Sequence, residues 1–314
     1  MHHERWRGAK LALTCALGAC VAMLVAQHVV NGAAPLSPPP VFRGSLPPAA
    51  PPAQMRLLQL PTGITQRSAA FAYRGGSFFD ARDFVMTAVL VQHPRGDVLI
   101  DTGFGRALER HFAQMPLYFR LTTRYGKQTP AADQLKALGY AQQRMRGILL
   151  THAHWDHASG LADFPGVPVL VTKAERQFVD QGGFLTAAAR TAHARWEIYR
   201  FEGGAYLGFP AHHDVHGDGS IVVVPAPGHT PGSVIVFVTL PGERRYAFVG
   251  DLAWQREGIL QREERPFPQR ALGDFDGEGV RAGLRKMWAV SRRFPQIEIV
   301  PAHDARGFAS IPRR

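Results

Sequence analysis

THAHWDHASG, residues 151–160, places three histidines and one aspartate among the six positions from 152 to 157. The stretch directly follows residues 148–150, an apolar run typical of a buried strand. Successive side chains of an extended segment point to opposite sides, so His152 and His154 point the same way and can share one metal ion. Asp156 and His157 follow in a predicted tight turn, from which they can reach a second ion. The stretch therefore predicts a metal site, and a solvent-exposed histidine-rich loop is the alternative interpretation.

Three more polar residues follow apolar, strand-like runs in the same way. They are His229 after residues 221–224, Asp251 after residues 246–250 and His303 after residues 297–302. Residues that follow neighbouring strands on one face meet at one edge of a sheet. We therefore expect these three side chains to lie beside the first histidine cluster.

Seven side chains are thus candidate metal ligands, five histidines and two carboxylates. We expect one ion at His152, His154 and His229, a second ion at Asp156, His157 and His303, and Asp251 as a bridge between them. This donor set suits two borderline-soft divalent ions with positions left for water and substrate. A hydroxide held between two such ions is a nucleophile at neutral pH, and either ion can polarise a carbonyl or phosphoryl oxygen. The predicted chemistry is hydrolysis, with Asp156 and Asp251 as the candidate catalytic residues.

The complete motif set resembles that of the metallo-β-lactamase-fold hydrolase superfamily. The matching elements are the His-x-His-x-Asp-His motif at residues 152–157, the third-histidine motif PGHTPG at 227–232, Gly250-Asp251, His303, and the early Asp-Thr-Gly element at 101–103. The resemblance spans about residues 80–305. It implies an α+β fold, a four-layer αββα sandwich, with a dinuclear site on its edge that usually holds zinc. We therefore expect two divalent ions, with zinc as the expected metal.

Within that superfamily the sequence is most similar to the N-acyl-homoserine lactonase group, in residues 84–104, 217–220, 228–233 and 300–304. True β-lactamases lack the bridging carboxylate that Asp251 supplies, so we expect a small-molecule ester or lactone substrate. A phosphodiesterase or nucleic-acid hydrolase, a β-lactamase and a non-catalytic metal-dependent binding protein are the alternatives. The sequence departs from the lactonase group at Trp254, where that group usually carries tyrosine. An indole donates a hydrogen bond but cannot act as an acid.

Several residues around the motifs have two interpretations each. Asp101 either hydrogen-bonds a metal-ligating histidine or caps its own turn. Residues 104–145 are rich in aromatic side chains, which either pack in the core or form an apolar wall over the site. A second candidate wall is Trp254, Ile259 and Leu260, and Arg256 and Arg262 are candidates to meet an anionic substrate group. His212, His213 and His216 precede a Gly-Asp-Gly turn and are predicted to lie in a solvated loop, and His93 and His111 to be surface or core residues.

The first 54 residues differ in composition from the rest of the chain. Arg5, Arg7 and Lys10 precede an apolar run at 11–30, which predicts an uncleaved membrane anchor in preference to a cleaved signal peptide. Eight of the eighteen residues from 35 to 52 are proline, a composition typical of a stiff, extended spacer. The predicted organisation is a signal peptide or anchor at 1–34, a proline-rich linker at 35–54 and one hydrolase domain at 55–314. The domain is expected at the periplasmic or other extracytoplasmic face of the inner membrane.

The charge and the cysteine content limit the expected partners and the type of metal site. The net charge of +11 suits an anionic partner or a solvated basic surface. The arginines of the chain are scattered and form no dense basic run, so nucleic acid is not an expected partner. Both cysteines, Cys15 and Cys20, precede the predicted domain, which excludes a thiolate zinc site within it.

Apolar runs predict strands over residues 84–91, 97–101, 148–151, 167–172, 221–224, 234–239, 246–250 and 297–300. Helical patterns fit residues 106–115, 131–138, 173–180 and 280–294. Strands that come partly as hairpins and partly with helices between them predict sheets covered by helices in one body.

Overall fold

Two β-sheets pack face to face in the computed structural model, which describes residue 18 and residues 31–313. The strands are β1 (Arg56–Ser68), β2 (Ala81–Gln92), β3 (Asp97–Ile100), β4 (Gly126–Lys127), β5 (Met145–Leu149), β6 (Pro168–Val171), β7 (Arg195–Ile198), β8 (His213–Asp214), β9 (Ile221–Pro225), β10 (Val234–Leu240), β11 (Arg244–Gly250) and β12 (Ile297–Pro301). The first sheet has the order β4-β1-β2-β3-β5-β6-β7, and the second has the order β12-β11-β10-β9-β8.

Helices lie on the outer faces and in the loops at the edge of the sheets. They are α1 (Ala69–Ala72), α2 (Leu108–Ala113), α3 (Leu117–Thr122), α4 (Ala131–Ala137), α5 (Trp155–Ala158), α6 (Lys173–Gln181), α7 (Ala187–Thr191), α8 (Arg256–Leu260), α9 (Phe267–Gly273) and α10 (Gly277–Arg293). Helices α4 and α6 cover the first sheet, and α8 and α10 cover the second. The predicted α+β, four-layer αββα sandwich is confirmed.

The alternation of side chains along β9 explains the layers. Ile221 and Val223 are buried between the two sheets. Val222 and Val224 point the other way and pack against Leu284 and the rest of the apolar face of α10. A strand with apolar residues on both sides is expected where both faces of a sheet are covered.

All eight predicted strands are present, and the longest strand was not predicted. β1 pairs antiparallel with β2 along almost its entire length, and the register shifts between Pro61 and Gly63. Helices were predicted at α2, α4, α6 and α10, and their observed ends differ from the predicted ones by up to three residues.

The proline-rich segment, predicted as a stiff and extended spacer at residues 35–54, packs against the domain at several of its residues. Residues 31–52, which we call the clasp, have no assigned strand or helix after Asn31 and run against the second sheet and its helices. Leu36, Phe42 and Leu46 pack against the core beneath α10. Backbone hydrogen bonds join Leu36 N to Arg262 O at 2.9 Å and Ala50 N to Asp218 O at 2.8 Å. The apolar residues between the prolines therefore make the segment part of the domain.

Substitution of Phe42 tests whether the clasp stabilises the domain. The Phe42 ring lies edge-on to Phe294 at 6.1 Å and is partly buried. We expect Phe42→Ala to lower the free energy of unfolding by about 2 kcal/mol, less than a fully buried phenylalanine would. Val41→Ala is the matched control, since Val41 is 80% exposed. Equal urea midpoints for the two variants would contradict the packing role.

The predicted anchor at residues 11–30 lies outside the described residues. Within the part of the chain that the structure describes, no helix has the length and apolar character needed to cross a bilayer.

Candidate metal centre

The candidate ligands lie at one edge of the sandwich, where strands from both sheets end. Residues 152–157 follow β5, residues 226–233 follow β9, Asp251 follows β11 and His303 follows β12. The backbone joins the two sheets at this edge, because Val234 N donates to Thr151 O at 3.0 Å. Gly250 has a φ of +53°, and a Cβ on it would lie 2.9 Å from the Thr151 Cβ. This glycine therefore allows Asp251 to approach the histidine loop.

Three histidines form the first group. The ring centroids of His152, His154 and His229 lie 4.6 to 4.7 Å from one another. All three side chains are buried, with at most 4% of each residue exposed. One ligand atom from each lies within 4.8 Å of the others, a spacing that can hold a metal ion.

The second group consists of Asp156, His157 and His303, whose ligand atoms also lie within 4.8 Å of one another. His303 Nε2 lies 3.5 Å from the Asp156 carboxylate. Asp251 lies between the groups. Its Oδ1 is 3.3 Å from His157 Nε2 and 3.1 Å from His303 Nε2, and its Oδ2 is 3.4 Å from His229 Nε2. The structure thus brings together all seven side chains singled out in the sequence.

Five buried polar atoms at this centre lack a hydrogen-bond partner among the described residues. They are the Nε2 atoms of His152, His154, His157 and His229 and the Oδ1 atom of Asp251. Buried polar atoms in proteins almost always have a partner, and an unpaired one costs free energy. Imidazole nitrogens and carboxylate oxygens are ligands for zinc and similar divalent ions, so the residues present fit a metal centre.

The electrostatics of the first group favour metal binding. Burial and the neighbouring imidazoles hold the pKa of His152 and of His154 well below its usual value. Both rings are therefore neutral at physiological pH, which is the form that binds a metal ion.

In the second group, neighbouring carboxylates determine the direction of the histidine pKa shifts. Burial alone would lower the pKa of His157 and of His303, but the adjacent carboxylates raise both. Burial would likewise raise the pKa of Asp251, and the two imidazoles hold it well below its usual range. Positive charge is thus favoured beside Asp251, as a divalent ion would also be.

A second set of hydrogen bonds fixes the orientation of three ligand rings. His157 Nδ1 donates to Asp101 Oδ2 at 2.8 Å, His229 Nδ1 donates to Asp274 Oδ1 at 2.9 Å, and His303 Nδ1 donates to Val85 O at 3.0 Å. With Nδ1 bonded outward, each neutral ring presents its Nε2 lone pair to the centre. Asp101 also accepts from Thr151 N at 2.7 Å, so its carboxylate supports a histidine, as one of its two interpretations predicted, and holds the residue that precedes His152.

Arg265 connects this outer set to the centre. Its guanidinium is 3% exposed and donates both to the carboxylate of Asp274 and to the backbone oxygen of Asp251. Because burial alone would raise the pKa of Asp274, the adjacent guanidinium is the main reason that this pKa is low. Neither residue is predicted from the sequence, since both lie in a loop-and-helix segment without a recognisable motif.

Glu175 joins the two loops that carry the first three histidines. Its carboxylate accepts from Ala153 N at 2.6 Å, Thr230 Oγ1 at 2.6 Å and Gly232 N at 3.1 Å, and only 1% of the residue is exposed. The sequence does not distinguish this role of Glu175 from helix capping, because Thr172 and Glu175 have the spacing of a helix capping box. Thr172 does accept from Glu175 N at 3.0 Å, but the Glu175 carboxylate is used elsewhere.

Burial raises the pKa of Glu175 to about 7, against the hydrogen bonds that favour its charged form. Because the pKa of this carboxyl is higher in the folded chain than in the unfolded chain, its protonation stabilises the fold. That stabilisation is complete below the pKa of the unfolded chain and is lost as the pH rises through about 7. We expect the free energy of unfolding of the parent, relative to Glu175→Gln, to fall by up to about 3 kcal/mol between about pH 5 and pH 8.

Urea titrations of both metal-loaded proteins across this range measure the difference. Glu202→Gln is the exposed control and should show no such trend. A difference between parent and Glu175→Gln that is constant with pH would refute the expectation.

Trp254 lies against the centre and binds Asp251. Its indole Nε1 donates to Asp251 Oδ2 at 2.7 Å. The ring stacks on Phe71 with centroids 5.4 Å apart and meets His303 edge-on at 6.3 Å. The only proton that this side chain can donate is therefore used by the carboxylate.

A cavity of about 300 Å³ opens onto the centre, and its floor includes His154, Asp156, His229, Asp251 and His303. The walls are mainly apolar and come largely from β1, β2, α1, α3 and α9. They include Phe71, Phe84, Met86, Phe104, Tyr118, Phe119, Tyr125, Trp155, Leu185, Trp254 and Leu272. Aromatic residues of segment 104–145 thus form part of the wall, as one interpretation predicted.

The second predicted wall is only partly present. Trp254 lines the cavity, but Ile259 is buried in the core beneath α10 and Leu260 is half exposed. Arg256 pairs with Asp304 at 3.2 Å. Arg262 donates to Leu36 O and lies over the Trp288 ring, so the clasp and α10 account for its contacts. Among the described residues, Arg67 is the one basic side chain other than histidine that lines the cavity.

The remaining histidines have contacts away from the centre. His93 is buried, stacks on His216 at 3.9 Å and lies 3.1 Å from the Asp218 carboxylate. His111 is buried against the Ser159 hydroxyl. Within residues 31–313, His212, His213 and His216 form no three-ligand metal group.

Comparison with known proteins relates the chain to one family of hydrolases. The model of the metallo-beta-lactamase superfamily matches residues 82–289. The "probable metallo-hydrolase" of Mycobacterium tuberculosis is 31% identical over 236 residues, covering 69% of this chain and 73% of that protein. An N-acyl homoserine lactonase of Agrobacterium fabrum is 26% identical over 237 residues, covering 71% of this chain and 83% of the lactonase.

Solved structures show the same fold at lower identity. An N-acyl homoserine lactone hydrolase with the product N-hexanoyl-L-homoserine at its metal centre has a TM-score of 0.63 and 18% identity, covering 80% of this chain and 94% of that one. A dizinc quorum-quenching lactonase has a TM-score of 0.53 and 16% identity, covering 88% and 92%.

Proposed function

The chain belongs to the metallo-beta-lactamase superfamily and is a metal-dependent hydrolase of that fold, and we propose that it cleaves an ester or lactone with two divalent ions, most simply zinc. The observation that carries this proposal is the set of five unpaired, buried ligand atoms at one centre, three of which belong to residues that line an apolar cavity. Two ions held there would supply an activated water and polarise the substrate carbonyl. The similarity to N-acyl homoserine lactonases supports the substrate class.

The residues of the proposed two-ion centre have different roles in the reaction. Asp251 faces both groups of histidines, so it is positioned to keep the two ions at a fixed separation. Asp156 belongs to the second group and lines the cavity, which places it to pass a proton to the leaving oxygen. The apolar walls exclude water and bind the hydrocarbon part of the substrate.

Two features favour a neutral, apolar substrate over a nucleic acid. A phosphodiester backbone is usually bound by several cationic side chains, and the cavity offers one arginine, which is partly buried. Trp254 favours substrates that need no protonation by a wall residue, because its N–H is bonded to Asp251.

The test is a hydrolysis panel with the purified full chain, together with its metal content. We expect two divalent ions per chain and turnover of lactones or carboxylic esters that carry an apolar chain. Thioesters, β-lactams and phosphodiesters complete the panel. Turnover confined to β-lactams or phosphodiesters, or no turnover of any ester by protein that holds two ions, would contradict the proposal.

We further propose that residues 11–30 tether the enzyme to a membrane, with the domain on the extracytoplasmic side. The support is the sequence: an apolar run without acidic residues, preceded by three basic residues. Alkaline extraction of membranes from expressing cells tests the tether, and release of the full-length protein into the wash would contradict it.

A further inference from the structure

Exposed apolar side chains are concentrated around the cavity mouth. Among the described residues, eleven large apolar side chains are exposed, and seven of them lie in or between segments that supply cavity walls. The seven are Phe78, Phe79, Leu117, Tyr118, Leu121, Phe267 and Phe275. Phe79 is 91% exposed and Leu121 is 75% exposed. An exposed apolar patch of this kind marks an interaction surface.

Basic residues outnumber acidic ones in two of these segments. Residues 67–80 and 117–127 carry four arginines, a lysine and one aspartate, Asp80, which pairs with Arg82 at 2.5 Å. Lys127 pairs with Glu109 at 3.0 Å. Arg120 and Arg124 are exposed beside Leu121 on α3 and the turn that follows it. Aromatic and aliphatic side chains mixed with arginine are typical of surfaces that lie in the interface of an anionic bilayer.

The chain enters the described domain beside this same surface. The apolar run ends at Val30, and the next residue, Asn31, is 5% exposed. Its side-chain amide donates to Ala70 O at 3.2 Å, and its backbone oxygen accepts from Gly75 N at 2.6 Å. Arg74 Nε donates to Gly32 O at 3.1 Å. Asn31 and Gly32, which directly follow the apolar run in sequence, are therefore held against α1 and the turn after it, a few residues before Phe78 and Phe79.

We propose that the cavity mouth faces an anionic lipid bilayer, with the exposed apolar side chains in its interface. This inference rests on the proposed tether. A free spacer would let the domain rotate above the membrane, but Asn31, the residue that follows the proposed tether, is held against α1 and so favours an orientation with this surface toward the membrane. The cavity then opens toward the lipid, and an ester or lactone whose apolar chain partitions into the bilayer reaches the centre without crossing bulk water.

A single fluorescent label reports this orientation. Residues 31–314 contain no cysteine, so Cys15→Ser with Cys20→Ser gives a label-free full chain. Phe79→Cys places a bimane label on the proposed membrane face. Leu138→Cys is the matched control, because Leu138 is 47% exposed and lies beside Leu240, at the opposite end of the strands.

Both labelled chains are reconstituted into liposomes of phosphatidylcholine and phosphatidylglycerol, with a nitroxide lipid as quencher. We expect the label at position 79 to lose most of its emission and the label at position 138 to keep it. Equal quenching at both positions, failure of the protein to float with the liposomes, or burial of position 79 by a second copy in the absence of lipid would each overturn the proposal. Since quenching is read without substrate, it is independent of whether the enzyme cleaves esters.

Discussion

Asp251→Asn is expected to lower kcat/KM by roughly a thousandfold, equivalent to about 4 kcal/mol of transition-state stabilisation. It is also expected to reduce the metal content from two ions to one. Asparagine has the same shape but is neutral, so the electrostatic attraction to both ions is lost. The amide must also place either its NH₂ group or its oxygen toward each group of histidines, whereas the carboxylate offers an oxygen to both.

Elemental analysis and steady-state kinetics on the most active panel substrate measure the two effects. Asp180→Asn is the matched control, since Asp180 is exposed on α6 and pairs with Arg176. That control should keep both ions and the parent's activity. Parent-like turnover by Asp251→Asn would rule out the proposed bridging role.

The second large effect is expected at Asp101, which touches no ion. Asp101→Ala removes the acceptor for His157 Nδ1, Thr151 N and the Thr151 hydroxyl, all buried donors. Each buried donor left without a partner costs about 1–3 kcal/mol. Asp101 also has a φ of +54°, a conformation that alanine adopts less readily than aspartate. We expect metal affinity to fall about 10–100-fold, in addition to a loss of stability.

Asp101→Asn separates the two roles of this side chain. It keeps an acceptor for Thr151 N and tolerates the positive φ, but its amide cannot accept from both Thr151 and His157 as the carboxylate does. Zinc affinity by chelator competition and stability by urea unfolding should therefore both rank parent, then Asn, then Ala. If all three proteins bind zinc equally, the outer hydrogen bond has no part in orienting His157.

The sequence was most informative where local patterns repeat. Alternating or continuous apolar runs predicted eight strands, and the motifs named seven side chains that lie together. These worked because strand periodicity and ligand spacing are properties of a few adjacent residues. β1 was not predicted because Pro61, Gly63 and several polar residues interrupt its apolar pattern. Its pairing with β2 over twelve positions stabilises the strand instead.

Long-range contacts explain the other omissions. Asp274 lies 45 residues after the histidine that it supports, and Glu175 matches a helix cap in sequence. The packing of the clasp was not predicted because proline content says only that the chain is extended. Leu36, Phe42 and Leu46 decide where an extended chain lies, and their partners in and around α10 are distant in sequence.

The clasp also bears on how a shortened form of this enzyme should be designed for expression and crystallisation. A cut at residue 53, where composition changes, would remove Leu36, Phe42 and Leu46 and leave an apolar strip on the outer layer open to water. Such a protein should aggregate during purification for reasons unrelated to its tether. A cut just before Asn31 removes the apolar run and leaves every described contact of the clasp in place.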